Sequence, residues 1–167
     1  MSLYLVDSNF FIQAHRAYYP LDVITSFWSK ISQLAAQNKI KSIDKVKSEI
    51  YDNASHEDEL KAWCQGNLPE EFFLNSSNSI GNYAQIAQWA NSMSHQYHKN
   101  AIDEFLEARL ADPWLVSFAL GKEITIVTYE KSEPNIKRKI KIPEVCNQFG
   151  VRYINTIEML RELKEVI

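Results

Sequence analysis

The chain has 167 residues, of which 46% are hydrophobic and 23% are charged, and both values are typical of one domain with a sizeable core. We therefore expect a single domain over residues 1–167. The four glycines, Gly66, Gly81, Gly121 and Gly150, are isolated, which excludes the glycine-rich loops of the usual dinucleotide-binding enzymes and of P-loop NTPases. The net charge of −3 gives the whole molecule no attraction to nucleic acid, so any such binding must depend on local charge and bound cations.

The two cysteines predict neither a zinc site nor a disulfide framework. Cys64 and Cys146 lie far apart and belong to no C-x-x-C pair, so we expect two reduced, mostly buried thiols. No apolar run approaches the ~18 to 20 residues of a membrane helix, and the first residues lack the pattern of a signal peptide. We therefore expect a cytoplasmic protein with no membrane partner.

The hydrophobic pattern predicts strands that alternate with helices. A buried strand at 3–6 precedes a helix at 10–19, which Pro20 ends, and the next helix begins at Asp22 as its cap. The pattern further predicts extended segments at 40–43 and 72–74, helices from Asp44 and at 57–64, 80–93 and 99–110, a helix from Asp112-Pro113 to Leu120, strands at 124–128 and 151–154, and a last helix from Thr156. This alternation favours a three-layer α/β/α sandwich with a central, mainly parallel sheet.

Four acids are placed where such a sheet binds ligands, near the carboxyl ends of its strands. Asp7 and Glu130 follow predicted strands, Asp112 begins the helix before the Glu130 strand, and Glu49 lies partly inward on its helix. Four carboxylates in one crevice would not all stay ionised without a cation, because like charges raise one another's pKa. An all-oxygen donor set favours Mg²⁺ or Mn²⁺ over zinc, and such sites typically activate water against a phosphodiester.

The sequence resembles a PIN domain, the Mg²⁺-dependent ribonuclease fold of many bacterial toxin–antitoxin pairs, in an uncharacterised PIN-like variant. The segments that carry the resemblance are YLVDSN at 4–9, VKSEI at 46–50, ADPWLVSFAL at 111–120, IVTYE at 126–130 and FGVRYINTIEML at 149–160. In PIN domains the first acid ends strand one, a glutamate lies on an early helix, the third acid begins the helix before a strand, and the fourth follows that strand.

This resemblance implies that Asp7, Glu49, Asp112 and Glu130 form the catalytic, metal-binding set. It implies supporting roles for Ser8 and Thr128, whose hydroxyls orient water or metal. The implied activity is an Mg²⁺- or Mn²⁺-dependent endoribonuclease, the toxin of a toxin–antitoxin pair. RNA and a cognate antitoxin are then the expected partners, and a homodimer is another, because PIN domains often form dimers.

The chain departs from the PIN pattern at two places. Glu130 stands where aspartate is usual, and its longer side chain moves the carboxylate by roughly one bond length. The basic, alternating segment at 136–143 is an insertion after that acid, which we interpret as a β-arm.

Basic residues flank the proposed acids in the sequence. Lys39, Lys41, Lys45 and Lys47 precede Glu49, and Lys131, Lys137, Arg138, Lys139 and Lys141 follow Glu130. We predict that Lys45, Lys47, Lys131, Lys137, Arg138 and Lys139 contact the RNA backbone, since phosphates are bound chiefly by such side chains. A solvated helix face is the alternative for the first cluster.

Each proposed residue also has a purely structural interpretation. Asp7 and Asp112 are good helix caps, Glu49 is explained as a solvated acid, and Glu130 as a loop residue. His95 and His98 have the spacing of two metal ligands on one helical face but lack an evident third. We interpret the four tryptophans as core residues rather than a platform for bases.

Three other functions remain open at this stage. The chain is a catalytically degenerate PIN-like module that binds protein or RNA if its acids serve only as caps. An aspartyl-phosphate enzyme also begins with an aspartate after strand one but usually has a second acid two residues later, where this chain has Asn9. A metal-independent nuclease would use His95 or His98.

Overall fold

The computed structural model describes residues 3–52 and 58–167. Within these residues, five strands form one sheet in the order β3-β2-β1-β4-β5, and every neighbouring pair is parallel. The strands are β1 (Leu3–Val6), β2 (Ile40–Ile43), β3 (Phe73–Leu74), β4 (Ile124–Val127) and β5 (Tyr153–Ile154). The expected parallel sheet is confirmed, and its order reverses between β1 and β4.

Helices cover both faces of this sheet, which confirms the three-layer α/β/α architecture. They are α1 (Ser8–Gln13), α2 (Thr25–Ala36), α3 (Asp44–Tyr51), α4 (Asp58–Asn67), α5 (Ile80–Asn91), α6 (Lys99–Phe105), α7 (Asp112–Ala119), α8 (Ile142–Phe149) and α9 (Thr156–Glu162). No helix in the described ranges combines the length and the apolar character that crossing a membrane requires.

The core lies on both faces of the central strands, as parallel sheets require. Leu5, Val6, Ile126 and Val127 are fully buried, which explains why β1 and β4 read as continuous apolar runs. Trp28 is buried, and the other three tryptophans are partly buried against the core. Both cysteines are buried free thiols. The predictions of core tryptophans and unpaired cysteines are therefore confirmed.

The helix predicted from Asp22 begins later than expected. The carbonyl of Pro20 accepts hydrogen bonds from the amides of Val23 and Ile24, which holds residues 21–23 in a turn, and α2 starts at Thr25. Asp22 is therefore not a cap. The preceding helix is also divided, because a π-helical turn at Ala14–Tyr18 follows α1.

The β-arm interpretation of residues 136–143 is wrong. Residues 131–141 form an irregular segment, which we call the 131–141 loop, and α8 already begins at Ile142. Its backbone bonds go to the α5–α6 connection and not to a strand: His98 donates its amide to the Lys137 carbonyl, and the Gln96 side chain donates to the Pro134 and Ile136 carbonyls. The apolar positions of the alternating pattern face inward and anchor the loop, with Ile140 buried.

Candidate active site

Asp7 ends β1 next to the point where the strand order reverses, the position at which open parallel sheets bind ligands. Its side chain is 2% exposed. One carboxylate oxygen accepts the Phe10 amide at 2.7 Å and so caps α1, while the other accepts the Thr128 hydroxyl at 2.7 Å. The capping interpretation therefore accounts for only one of its two oxygens.

The pKa of Asp7 is raised to about 7, chiefly by burial and to a smaller extent by the negative charges of Glu130 and Glu49. The hydrogen bonds from Thr128 and Phe10 act in the opposite direction, because they stabilise the ionised form. Two other acids are thus close enough to Asp7 to change its protonation.

Thr128 joins the ends of β1 and β4. The two strands pair with Val6 opposite Val127, so the residues that follow, Asp7 and Thr128, are neighbours at the carboxyl edge. The buried Thr128 hydroxyl donates to Asp7 and accepts the Glu130 amide at 3.1 Å. One hydroxyl therefore fixes both the Asp7 carboxylate and the backbone that carries Glu130.

Glu49 reaches the same edge from α3. Its carboxylate accepts a hydrogen bond from the Ser8 hydroxyl on one oxygen and from the Ala111 amide, at 3.4 Å, on the other. The side chain is partly buried and links the first turn of α1 to the start of α7. The solvated-acid interpretation does not fit this position.

Asp112 lies in the first turn of α7, but it does not cap the helix. The cap position is Ala111, and no side chain there bonds to the helix amides. Burial raises the pKa of Asp112 well above its usual value, and the charges of Glu130, Asp7 and Glu49 raise it further, while Lys139 lowers it. The capping explanation for Asp112 is therefore wrong, and its carboxylate shares the electrostatic environment of the other three acids.

Glu130 is more enclosed than a loop carboxylate usually is, since its side chain is 11% exposed. One of its oxygens, Oε2, is buried and accepts no hydrogen bond. The ammonium nitrogen of Lys139 lies 3.7 Å from this oxygen. A buried carboxylate oxygen without a hydrogen bond is costly, so a cation is the chemical partner that it requires.

The donor chemistry of this edge fits Mg²⁺ or Mn²⁺ through one or two carboxylates. All four side chains offer only oxygen, the element that these cations prefer. Across residues 3–52 and 58–167, however, no three His, Cys, Asp or Glu side chains are arranged to hold one ion together. Mg²⁺ usually retains several waters and takes one or two protein carboxylates, so the arrangement suits an ion that is partly held through water.

The fold and this site can now be compared with known proteins. A family model described as "Domain of unknown function (DUF4411)" matches residues 4–167. The chain belongs to this family. A search of the curated proteins gave no match.

This DUF4411 protein is similar to a chain in the crystal structure of VapBC2 from Rickettsia felis bound to a DNA fragment from their promoter. The two share 14% identity with a TM-score of 0.53, over 92% of this chain and 98% of the other. At this identity the likeness establishes the fold alone. The PIN-like fold expected from the sequence is thereby confirmed.

The predicted RNA contacts of the DUF4411 chain are dispersed. Lys45 lies over the Trp114 ring at 5.2 Å, and Lys47 lies over Tyr51 at 5.5 Å. The exposed members are Lys47, Lys131, Lys137 and Arg138. Of the six, Lys45 lines a cavity together with Glu49, and Lys139 lines one with Asp112. The structure thus brings two of the predicted basic residues to the acids.

A cleft of about 930 Å³ leads to Glu49 between α3 and the chain that follows α6. It is lined by Lys45, Ser48, Glu49, Asp52, Glu104, Glu107, Ala108, Arg109 and Leu110. Sequence reasoning did not single out Arg109 or its neighbours, because it predicted one helix over 99–110, whereas α6 ends at Phe105. Only the folded structure, in which these residues line one cleft with residues of α3, reveals that they border the site.

The histidine pair takes no part in this site. His98 occupies the cap position of α6, and its amide bonds to the Lys137 carbonyl. Neither His95 nor His98 belongs to a metal-binding group in the described part of the chain. The structure gives no support to the histidine-based interpretations.

Proposed function

We propose that this protein is an Mg²⁺- or Mn²⁺-dependent endoribonuclease, the cytoplasmic toxin of a bacterial toxin–antitoxin pair, which hydrolyses RNA phosphodiesters at Asp7, Glu49, Asp112 and Glu130. One observation carries the proposal: at the edge where the strand order reverses, Thr128 bonds to the Asp7 carboxylate and the Glu130 amide, while the Glu49 carboxylate bonds to Ser8 and to the amide of Ala111, next to Asp112. The PIN-like fold and the similarity to a chain of VapBC2 support the toxin assignment.

Each side chain has a definite task under this proposal. Asp7, Glu49 and Asp112 hold the ion directly or through water, and Glu130 supports the attacking water or a second ion. Ser8 and Thr128 orient the carboxylates to which they donate, as groups behind metal ligands commonly do. When bound, Mg²⁺ or Mn²⁺ would lower the pKa of a coordinated water and neutralise charge on the phosphate.

The substrate backbone approaches along the cleft beside Glu49. Lys45 and Arg109 line this cleft beside Glu49, Asp52, Glu104 and Glu107. Contact with phosphates, which are bound chiefly by lysine and arginine, would therefore also need a bound cation to offset these acids. Further contacts are proposed for the dispersed, exposed side chains of Lys47, Lys131, Lys137 and Arg138. A cognate antitoxin and a second copy of the chain are the proposed protein partners.

Single-turnover cleavage of structured and unstructured RNA tests this function. We expect cleavage by the wild-type protein in Mg²⁺, none in EDTA, and a rate lower by at least roughly 100-fold for Asp7→Asn, because loss of a metal ligand or its support costs about that much. Asp22→Asn, at an exposed acid outside the site, is the matched control and should leave the rate unchanged. Equal rates for wild type and Asp7→Asn would refute the assignment.

A catalytically degenerate PIN-like module that binds protein or RNA is the second candidate. It is favoured by the observation that no three of the described carboxylates are placed to hold one ion together. Calorimetric titration with Mn²⁺ separates the two candidates. The nuclease should show saturable binding that Asp7→Asn weakens, whereas the degenerate module should show none.

A further inference from the structure

Lys139 is held at the acidic site by the structure of the 131–141 loop. The next residue, Ile140, is buried in the core. The Glu144 carboxylate accepts hydrogen bonds from the Ser132 hydroxyl at 2.5 Å and the Glu133 amide at 2.8 Å, which fixes the start of the loop. With the Gln96 and His98 bonds described above, these contacts restrict where the Lys139 ammonium can lie.

The ammonium group lies beside Glu130 and in the neighbourhood of Asp112. Its nitrogen is 3.7 Å from the buried Oε2 of Glu130, the oxygen that accepts no hydrogen bond. Lys139 also lines a small cavity of about 50 Å³ with Asp112 and Ile140. It is therefore the cation that balances this half of the site, while Asp7 and Glu49 are fixed by hydrogen-bond donors on the other half.

A second divalent ion beside Glu130 would meet this ammonium at close range. In sites with two metal ions the ions lie roughly 3.5 to 4 Å apart and share carboxylates between them. A divalent ion that used Glu130 would therefore have to displace Lys139 or tolerate its charge, and like charges at that separation repel strongly in a partly buried site.

We propose that Lys139 takes the place of a second metal ion, so that the site binds a single divalent cation and keeps the ammonium as a fixed positive charge beside Glu130. This inference depends on the proposed metal-dependent function. It assigns Lys139 to the site as a positioning residue for the Glu130 carboxylate, whereas the sequence pattern had placed it among the general RNA contacts.

Calorimetric titration of the full chain with Mn²⁺ tests the stoichiometry. We expect one ion for the wild type and two for Lys139→Met, which keeps an unbranched apolar side chain but removes the ammonium group. Lys122→Met is the matched control, because Lys122 is an exposed lysine that precedes β4, away from the carboxyl ends of the strands, and this variant should bind one ion. Electron paramagnetic resonance should show a spin-coupled Mn²⁺ pair in Lys139→Met only.

A double variant keeps the test specific to Glu130. Lys139→Met with Glu130→Gln should return to one ion, because the carboxylate that holds the second ion is lost. Two ions in the wild type, or one ion in a folded Lys139→Met, would overturn the inference while leaving the metal-dependent function intact. No binding by any variant would instead refute the proposed function, and the inference with it; binding by Lys139→Met alone would also overturn the one-ion site.

Discussion

Asp7 combines two tasks that oppose each other energetically. It caps α1 and anchors Thr128, both of which favour an ionised carboxylate, yet it is almost completely buried, which favours the protonated form. Burial has the larger effect, since the pKa rises from the ordinary 3.8 to about 7. The folded protein therefore binds this proton more tightly than the unfolded chain does.

We expect this proton to make stability depend on pH. Between pH ~4 and ~7 the folded state holds the Asp7 proton and the unfolded state does not, so the free energy of unfolding falls as pH rises through this interval and then levels off. The Asp7→Asn variant lacks the titration and should be more stable than wild type at pH 8, by up to about 4 kcal/mol. Urea unfolding in EDTA from pH 4 to 8 measures both curves.

The control for this experiment is Asp22→Asn, whose curve should follow that of the wild type, because Asp22 is exposed. Parallel curves for wild type and Asp7→Asn would show that the buried carboxylate keeps an ordinary pKa. Excess Mg²⁺ should flatten the wild-type curve, since a bound cation favours the ionised carboxylate.

At the level of secondary structure, two helix starts look alike in sequence but differ in the fold. Asn155 caps α9 through a capping box, in which its side chain accepts the Glu158 amide and the Glu158 side chain accepts the Asn155 amide. Asp112 stands at a similar polar start before a proline, yet α7 has no side-chain cap. Its carboxylate is directed to the acid cluster instead.

Substitutions at these two helix starts should therefore have opposite effects. Asn155→Ala should lower the free energy of unfolding by about 1 kcal/mol, the usual value of a lost cap. Asp112→Asn should raise it in EDTA at pH 8, because burial and the charges of Glu130, Asp7 and Glu49 disfavour in the folded state the ionised carboxylate that the unfolded chain carries at this pH. Chemical denaturation measures the free energy of unfolding of both variants. A lower value for Asp112→Asn than for the wild type would restore the capping interpretation.

For the whole molecule, the strand order accounts for how a chain with a net charge of −3 would act on RNA under the proposed function. The reversal between β1 and β4 brings together acids that are widely separated in the sequence and leaves much of the basic surface outside them. Binding of one divalent ion changes the net charge from −3 to about −1 by simple addition, and it does so at the position where a phosphate would lie.

We expect RNA affinity to depend on the divalent ion. Fluorescence anisotropy with a short single-stranded RNA should give tighter binding in Ca²⁺, which prefers the same oxygen ligands, than in EDTA at matched ionic strength. Asp7→Asn should reduce the difference between the two conditions. Equal affinity in Ca²⁺ and EDTA would contradict a role for the acid cluster in holding a cation against the phosphate backbone.

Some features of the fold could be predicted from the sequence and others could not, for physical reasons. The apolar runs of β1 and β4 predicted a buried parallel sheet, because both faces of such strands are covered. The 131–141 loop was misjudged, since its alternating pattern is typical of a strand while its backbone bonds go to the α5–α6 connection. The prediction that Asp22 caps a helix was wrong, because the Pro20 carbonyl holds residues 21–23 in a turn before the helix begins.

The sequence by itself determined the sheet, its helical layers and the identity of the four acids, because hydrophobic periodicity and residue order are local properties of the chain. Only the tertiary structure decided which groups stabilise the negative charges of these acids. The hydroxyls beside Asp7 and Glu49 and the ammonium beside Glu130 are contacts between distant segments, and no spacing along the chain encodes them. The folding of distant segments therefore decides which of the predicted basic residues, Lys45 and Lys139, lie with the acids.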